Sequence, residues 1–202
     1  MLFLVVAMLA PAHTHVNNSG KTHARQFVRI FAGQPLSSIG EKGETFILDT
    51  ALLREAIRLS IEKMEANEGG PFGAVIVQRG IVVGRGWNRV TSTNDPTAHA
   101  EVVAIRDACS RLKTYVLAGC EIYSSCEPCP LCLAAIYWSR LDCICYAASA
   151  SDAAEAGFDD LRFYAELAKA PADRSIPVQQ ALGQEARLAF QRWNQKKDRI
   201  PY

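Results

Sequence analysis

The sequence predicts a layered α/β domain. Three observations carry this. Runs rich in β-branched residues alternate with runs of helical periodicity, glycine and proline punctuate the joins, and no internal repeat or low-complexity tract interrupts the order. The chain has 202 residues, 49% hydrophobic and 21% charged, which suffices for one full core and calls for no second domain.

Residues 1–44 read as a leader and linker. Leu2 to Ala10 is apolar and leads into Pro11 and Ala12, like the core of a signal peptide, but no Lys or Arg precedes it and it is too short to span a bilayer. Gly33, Pro35, Ser37, Ser38, Gly40 and Gly43 then give linker character. Residues 45–202 hold every motif. Asp49 or Thr50 caps a helix to about Asn67, with Leu53, Ile57, Ile61 and Met64 on one face, and Gly69-Gly70-Pro71 ends it. Phe72 to Gln78 and Ile81 to Trp87 are strands joined as a hairpin through Gly80. Asn88 to Thr97 is a polar loop. A helix starts near Ala98, with Val102, Ile105, Cys109 and Leu112 at helical spacing. Glu121 to Ser125 is a third strand, and Cys126 to Pro130 turns into a helix that ends near Ser139. Cys143 to Ala147 is a fourth strand, Ala153 to Ala156 a short helical stretch, Ile176 to Gln180 a fifth strand, and Ala186 to Asn194 a terminal amphipathic helix.

The 22 basic and 21 acidic residues leave a formal net charge of +1. A nucleic-acid surface usually carries a basic excess, so the balance favours a small-molecule partner. The seven cysteines are an odd number in a chain that is not short, which argues against a secreted disulfide framework and for a reducing compartment, the cytoplasm.

Two short motifs carry the chemistry: His99-Ala100-Glu101, and Pro128-Cys129-Pro130-Leu131-Cys132. Catalytic zinc takes three protein ligands and keeps a fourth position open. His99, Cys129 and Cys132 supply three such ligands, and both sets fall where helices begin, which favours thiolates. Glu101, two residues past His99, can stand beside the metal without ligating it and move a proton. A closed structural site would need a fourth ligand, for which Cys126 is the nearby candidate. Cys109, Cys120, Cys143 and Cys145 read as small buried residues.

Together the motifs read H-x-E followed by P-C-x-x-C, the signature of zinc-dependent base deaminases. From about Glu44 onward the chain resembles the bacterial guanine deaminases of the cytidine deaminase superfamily. The segments that carry the resemblance are GGPFGAVIV at Gly69–Val77, NDPTAHAE at Asn94–Glu101, SCEPCPLCLAAIYW at Ser125–Trp138 and DAAEAGFDD at Asp152–Asp160. The resemblance implies a three-layer α/β/α sandwich with a mixed five-stranded sheet, one zinc ion per chain, and conversion of guanine and water to xanthine and ammonia in purine catabolism. It implies a homodimer, with the C-terminal segment a candidate for exchange between subunits, and neither nucleic acid nor membrane as partner. Glu101 then shuttles protons, and Asp160 contacts the substrate and assists transfer. Asn88, Phe72 and the backbone of Ala100 hold the base, Trp138 lines the pocket, and Tyr202 reaches a neighbouring subunit's site. The tail from Asp198 to Tyr202 departs from the family ending.

Each assignment has a plainer rival: Asn88 as a turn residue, Phe72 and Trp138 as core, Asp159 and Asp160 as a solvated loop. The alternative functions are a tRNA adenosine deaminase, a deaminase of cytosine or another small base, and a non-catalytic domain stabilised by zinc. The charge balance and the AEAGFDD segment weigh against the first, and an intact Glu101 against the last.

Overall fold

The computed structural model describes residues 47–201. Helix α1 spans Thr50–Glu65, and the Asp49 carboxylate caps it by accepting the Ala51 N–H at 2.8 Å. Strands β1 (Gly73–Gln78) and β2 (Ile81–Trp87) form the expected antiparallel hairpin across Arg79-Gly80, with a bulge at Ile76/Val77. Helix α2 (Val90–Thr93) interrupts what the sequence suggests is plain loop, and α3 runs Ala100–Leu112. Strand β3 (Cys120–Cys126), helix α4 (Pro130–Trp138) and strand β4 (Cys143–Ala148) complete a parallel crossover unit. Helices α5 (Ala150–Glu155), α6 (Asp160–Ala168) and α7 (Gly183–Gln195) follow.

The sheet order is β2-β1-β3-β4, with β1 antiparallel to both neighbours and β3 parallel to β4. This is a mixed sheet, as expected, but of four strands among the described residues. Ile176 to Gln180 pairs with nothing there and Ile176 is exposed, so the fifth strand is not formed. Pro177 inside that run lacks the N–H a ladder needs.

Strand β1 is central, so both its faces are covered, and Gly73 to Val77 are all buried. Alternation along the strand sorts them. Gly73 faces α1: a Cβ there would lie 2.3 Å from the Ala56 carbonyl oxygen. Ala74 and Ile76 face the other way and join Ala100, Ala104, Ala108, Ile122 and Ile136 in the main core. Thus α1 covers one face of the sheet, and α3 and α4 the other. The buried side of α1 is Ala56, Leu59 and Ser60, not the expected stripe, for Ile61 and Met64 on that stripe are exposed. Helix α3 sits close on β2 because Gly84 and Gly86 offer no side chain: a Cβ on Gly86 would meet the Ala100 carbonyl oxygen at 2.1 Å.

Neither α6 nor α7 buries a residue. Phe163, Leu167, Leu188 and Phe190 stand exposed along them. No helix among the described residues is long and apolar enough to cross a membrane.

Candidate active site

The site lies where two helices begin. His99 is the N-cap of α3 and Cys129 the N-cap of α4, with Pro130 in the first helical position, where its missing N–H costs nothing. One helical turn brings Cys132 beside Cys129, their sulfurs 3.6 Å apart. His99 Nδ1 lies 3.5 Å from both sulfurs. The three ligating atoms fall within 4.8 Å of one another, the one such cluster among the described residues.

Neutral imidazole plus two thiols is a donor set that suits zinc rather than magnesium or calcium. Electrostatics within the cluster point the same way. Hydrogen bonding with Cys132, opposed by burial and aided by His99, lowers the Cys129 thiol to about 4, a thiolate at neutral pH, while the same pairing and burial raise that of Cys132, so the pair holds one negative charge until a metal draws off the second proton. Cys126 does not complete a closed set. Its thiol donates to the Ser149 carbonyl at 3.5 Å, and burial raises its pKa to about 11.

Glu101, in the first turn of α3, is buried beside the cluster, with Oε2 3.2 Å from Cys132 Sγ. Desolvation raises its pKa. Its other oxygen, Oε1, accepts a hydrogen bond from Ser124 Oγ at 3.1 Å.

A cavity of about 360 Å³ opens onto the cluster. It brings Phe72, Asn88 and Asp160 together with the consecutive residues His99, Ala100 and Glu101. Asn88 is buried, and its Oδ1 accepts the N–H groups of Gly70 and Val90, each at 3.2 Å. Its side-chain nitrogen is therefore left to donate. Phe72 makes an edge-to-face contact with Phe158, ring centroids 4.7 Å apart. Asp160 opens α6 and is half-buried, and desolvation raises its pKa, with the charge of Cys129 adding to the effect.

Trp138 does not line this cavity. It is 63% exposed, at the end of α4, with the Arg140 guanidinium 5.9 Å over its ring. Six residues past Cys132, it points away from the face that carries the cysteine. Tyr202 lies outside the described residues. Sequence reasoning missed Phe158, Phe163 and Glu127 in the cavity wall, and Ser124 behind Glu101. Ser124 alone had a local signal: a polar residue two places past Ile122 on the buried face of a strand.

A buried carboxylate beside a three-ligand nitrogen–sulfur site, facing a cavity, is the site of a metal-dependent hydrolase. Comparison with known proteins narrows the class. Residues 47–148 match the family model described as the cytidine and deoxycytidylate deaminase zinc-binding region. The chain is 50% identical to guanine deaminase of Bacillus subtilis over 150 residues, 74% of this chain and 96% of that one. The crystal structure of guanine deaminase from Bacillus subtilis superposes with a TM-score of 0.75 at 48% identity, covering 77% of this chain and 99% of that chain. A tRNA-specific adenosine deaminase of Aquifex aeolicus is 43% identical over 106 residues, 52% of this chain and 66% of that one. The chain belongs to the cytidine and deoxycytidylate deaminase family, and His99, Cys129 and Cys132 form its candidate zinc site.

Proposed function

We propose that this chain is a guanine deaminase, hydrolysing guanine to xanthine and ammonia in purine catabolism. One observation carries the reading above others: a single cavity joins Glu101 and the His–Cys–Cys cluster to Asn88 and Asp160. The choice of guanine over a tRNA adenosine rests on the near-complete coverage of the Bacillus subtilis enzyme and the balanced charge.

One zinc ion per chain, held by His99, Cys129 and Cys132, would make water a nucleophile near neutral pH. The protein's own groups do the rest. Asn88 donates to an acceptor on the purine, Phe72 lies against the base, and the Ala100 N–H, unpaired within α3, holds the ring. Glu101 takes one proton from the attacking water to the ring nitrogen as the C–O bond forms, then a second from the resulting hydroxyl to the amine, which leaves as ammonia as the C–N bond breaks and the carbonyl forms. Asp160 accepts from the N–H edge of guanine, so a base lacking those donors leaves a half-buried carboxylate unpaired.

The assembly in this reading is a homodimer that exchanges C-terminal segments. The apolar, uncovered residues of α6 and α7 support it, and Tyr202 of one subunit would then serve the site of its neighbour. The cytoplasm is the compartment in which seven free thiols and a thiolate metal site persist. Residues 45–202 form the deaminase domain and residues 1–44 a leader or linker, a division supported by a family match that begins at residue 47.

The test is ammonia release from a panel of guanine, adenine, cytosine and a tRNA anticodon stem, with bound zinc measured in parallel. Turnover of guanine with about one zinc per chain is expected. Turnover confined to tRNA, or full activity after exhaustive metal removal, would overturn the reading. Cys129→Ala is expected to lose the metal and with it stability, because ligand binding and folding are coupled.

A further inference from the structure

We infer that Ser124 is a positioning residue for the deamination reaction, fixing which oxygen of Glu101 is free to carry the proton. The inference rests on the proposed zinc-dependent chemistry.

A carboxylate that carries two protons in turn, from the attacking water to the ring nitrogen and from the resulting hydroxyl to the leaving amine, must present one oxygen in one place. Glu101 has neighbours at both oxygens. Oε2 faces the metal cluster, 3.2 Å from Cys132 Sγ. Oε1 faces strand β3, where Ser124 Oγ donates to it at 3.1 Å. Ser124 is 1% exposed, two residues past Ile122 on the side of the sheet that α3 covers. It sits within the strand ladders, opposite Ala74 on β1 and Tyr146 on β4, so its backbone cannot shift alone. The Glu101 carboxylate can rotate about its last torsion, which is broad and roughly two-fold. A single donor from a fixed strand removes that freedom. One oxygen is tethered to the sheet, and the other stays at the cluster.

The competing explanation is packing. Helix α3 lies close to the sheet through Ala100 and Ala104, and a small residue at 124 fits that approach whether or not it has a hydroxyl. The two explanations part on the hydroxyl itself, since Ser124→Ala keeps the small volume and removes only the donor.

The experiment uses the zinc-loaded full chain with guanine as substrate. Ser124→Ala is expected to lower kcat roughly 10- to 100-fold, the range for losing a hydrogen bond to a charged group. KM, zinc content and thermal midpoint should stay near wild type. Ser124→Thr, which keeps the hydroxyl, should recover most of kcat. If Ser124 acts only through Glu101, adding Ser124→Ala to Glu101→Gln should cost little further turnover. A normal kcat in Ser124→Ala overturns the inference. So does a loss confined to KM, or a loss that multiplies in full with that of Glu101→Gln. Should Ser124→Ala lose zinc or its folding transition, the residue is structural and the inference also fails. Absence of guanine turnover in the wild type would instead mark a failure of the proposed function.

Discussion

Asp159 and Asp160 are neighbours in sequence with different surroundings. Both line the cavity, but Asp159 is exposed, whereas Asp160 is half-buried, opens α6, and has its carboxyl raised by desolvation. Asp160→Ala is therefore expected to leave zinc in place and cut guanine turnover at least ~10²-fold, the scale of losing an acid–base group. Asp159→Ala should change turnover by less than about threefold, in keeping with an exposed site. Absorbance at the guanine-to-xanthine change, with zinc assayed in the same samples, checks both, and equal mild effects would return the pair to a solvated loop. The residues legible from sequence are those whose relation is local. His99 to Glu101 spans two positions and Cys129 to Cys132 spans three, so one helical turn fixes each geometry before any tertiary contact forms. Ser124 and Phe158 meet their partners far along the chain, and even where the strand pattern marks Ser124 as a buried polar residue, local spacing does not name Glu101 as its partner. Trp138 lies close to Cys132 in sequence, while helical rotation turns the two apart.

At the scale of elements, the seam between α3 and β2 places His99 and Glu101. The helix rests on Gly84 and Gly86, and a Cβ at position 86 would fall 2.3 Å from the Ala104 nitrogen. Gly86→Ala must push the helix off the strand. The expected cost is about 1–3 kcal/mol, typical of an overpacked interior, with a fall in zinc affinity as His99 leaves its place. A denaturant midpoint and a zinc titration measure these, and an unchanged pair would mean that the helix yields freely. On the other face, α1 is tied to β2 by Arg85, whose Nε donates to Glu55 Oε1 at 2.9 Å. That bond holds the Glu55 carboxyl below its ordinary value. A lowered carboxylate stabilises the fold above the unfolded pKa, about 4.3 for glutamate, and the benefit fades as pH falls through the lower folded value. Glu55→Gln should thus cost about 0.2–1 kcal/mol at pH 7, as partly exposed pairs do, and less at pH 3. Urea midpoints of both chains at the two pH values decide it. The strands were readable because Val75, Ile76 and Val77 leave little choice but a buried strand. The face of α1 was not, because its small Ala56 and Ser60 pack more closely than its larger apolar residues do.

At the scale of the molecule, helices α6 and α7 are joined to the domain without burying a residue of their own. Tyr164 donates to the Pro128 carbonyl at 3.0 Å, anchoring α6 near the site, and Tyr115 donates to the Pro201 carbonyl at 3.0 Å. Between these contacts the apolar side chains of α7 remain exposed. Exposed apolar residues that form one contiguous patch are what an interface covers. Sedimentation equilibrium is expected to give a dimer for the full chain. A chain ended after Lys169 should become a monomer that still folds and binds zinc but turns over guanine poorly. A monomeric full chain, or a dimeric short one, would refute the exchanged arrangement. None of this was legible in Ile176 to Gln180, where β-branched residues suggest a strand. A strand needs a neighbour, and composition does not supply one.

The two backbone N–H groups that converge on Asn88 Oδ1 give the cavity a fixed polarity at that wall. Only a hydrogen-bond donor is on offer there, whatever ligand arrives. Ring isosteres can therefore locate the atom it meets. In a set of deazapurine analogues, each with one ring nitrogen exchanged for C–H, the member that lacks the acceptor facing Asn88 should bind weaker by about 1–3 kcal/mol, the penalty for leaving a buried donor unpaired. The same exchange should matter little in Asn88→Ala, where that donor is gone, and the atom so identified would orient the whole base relative to Glu101.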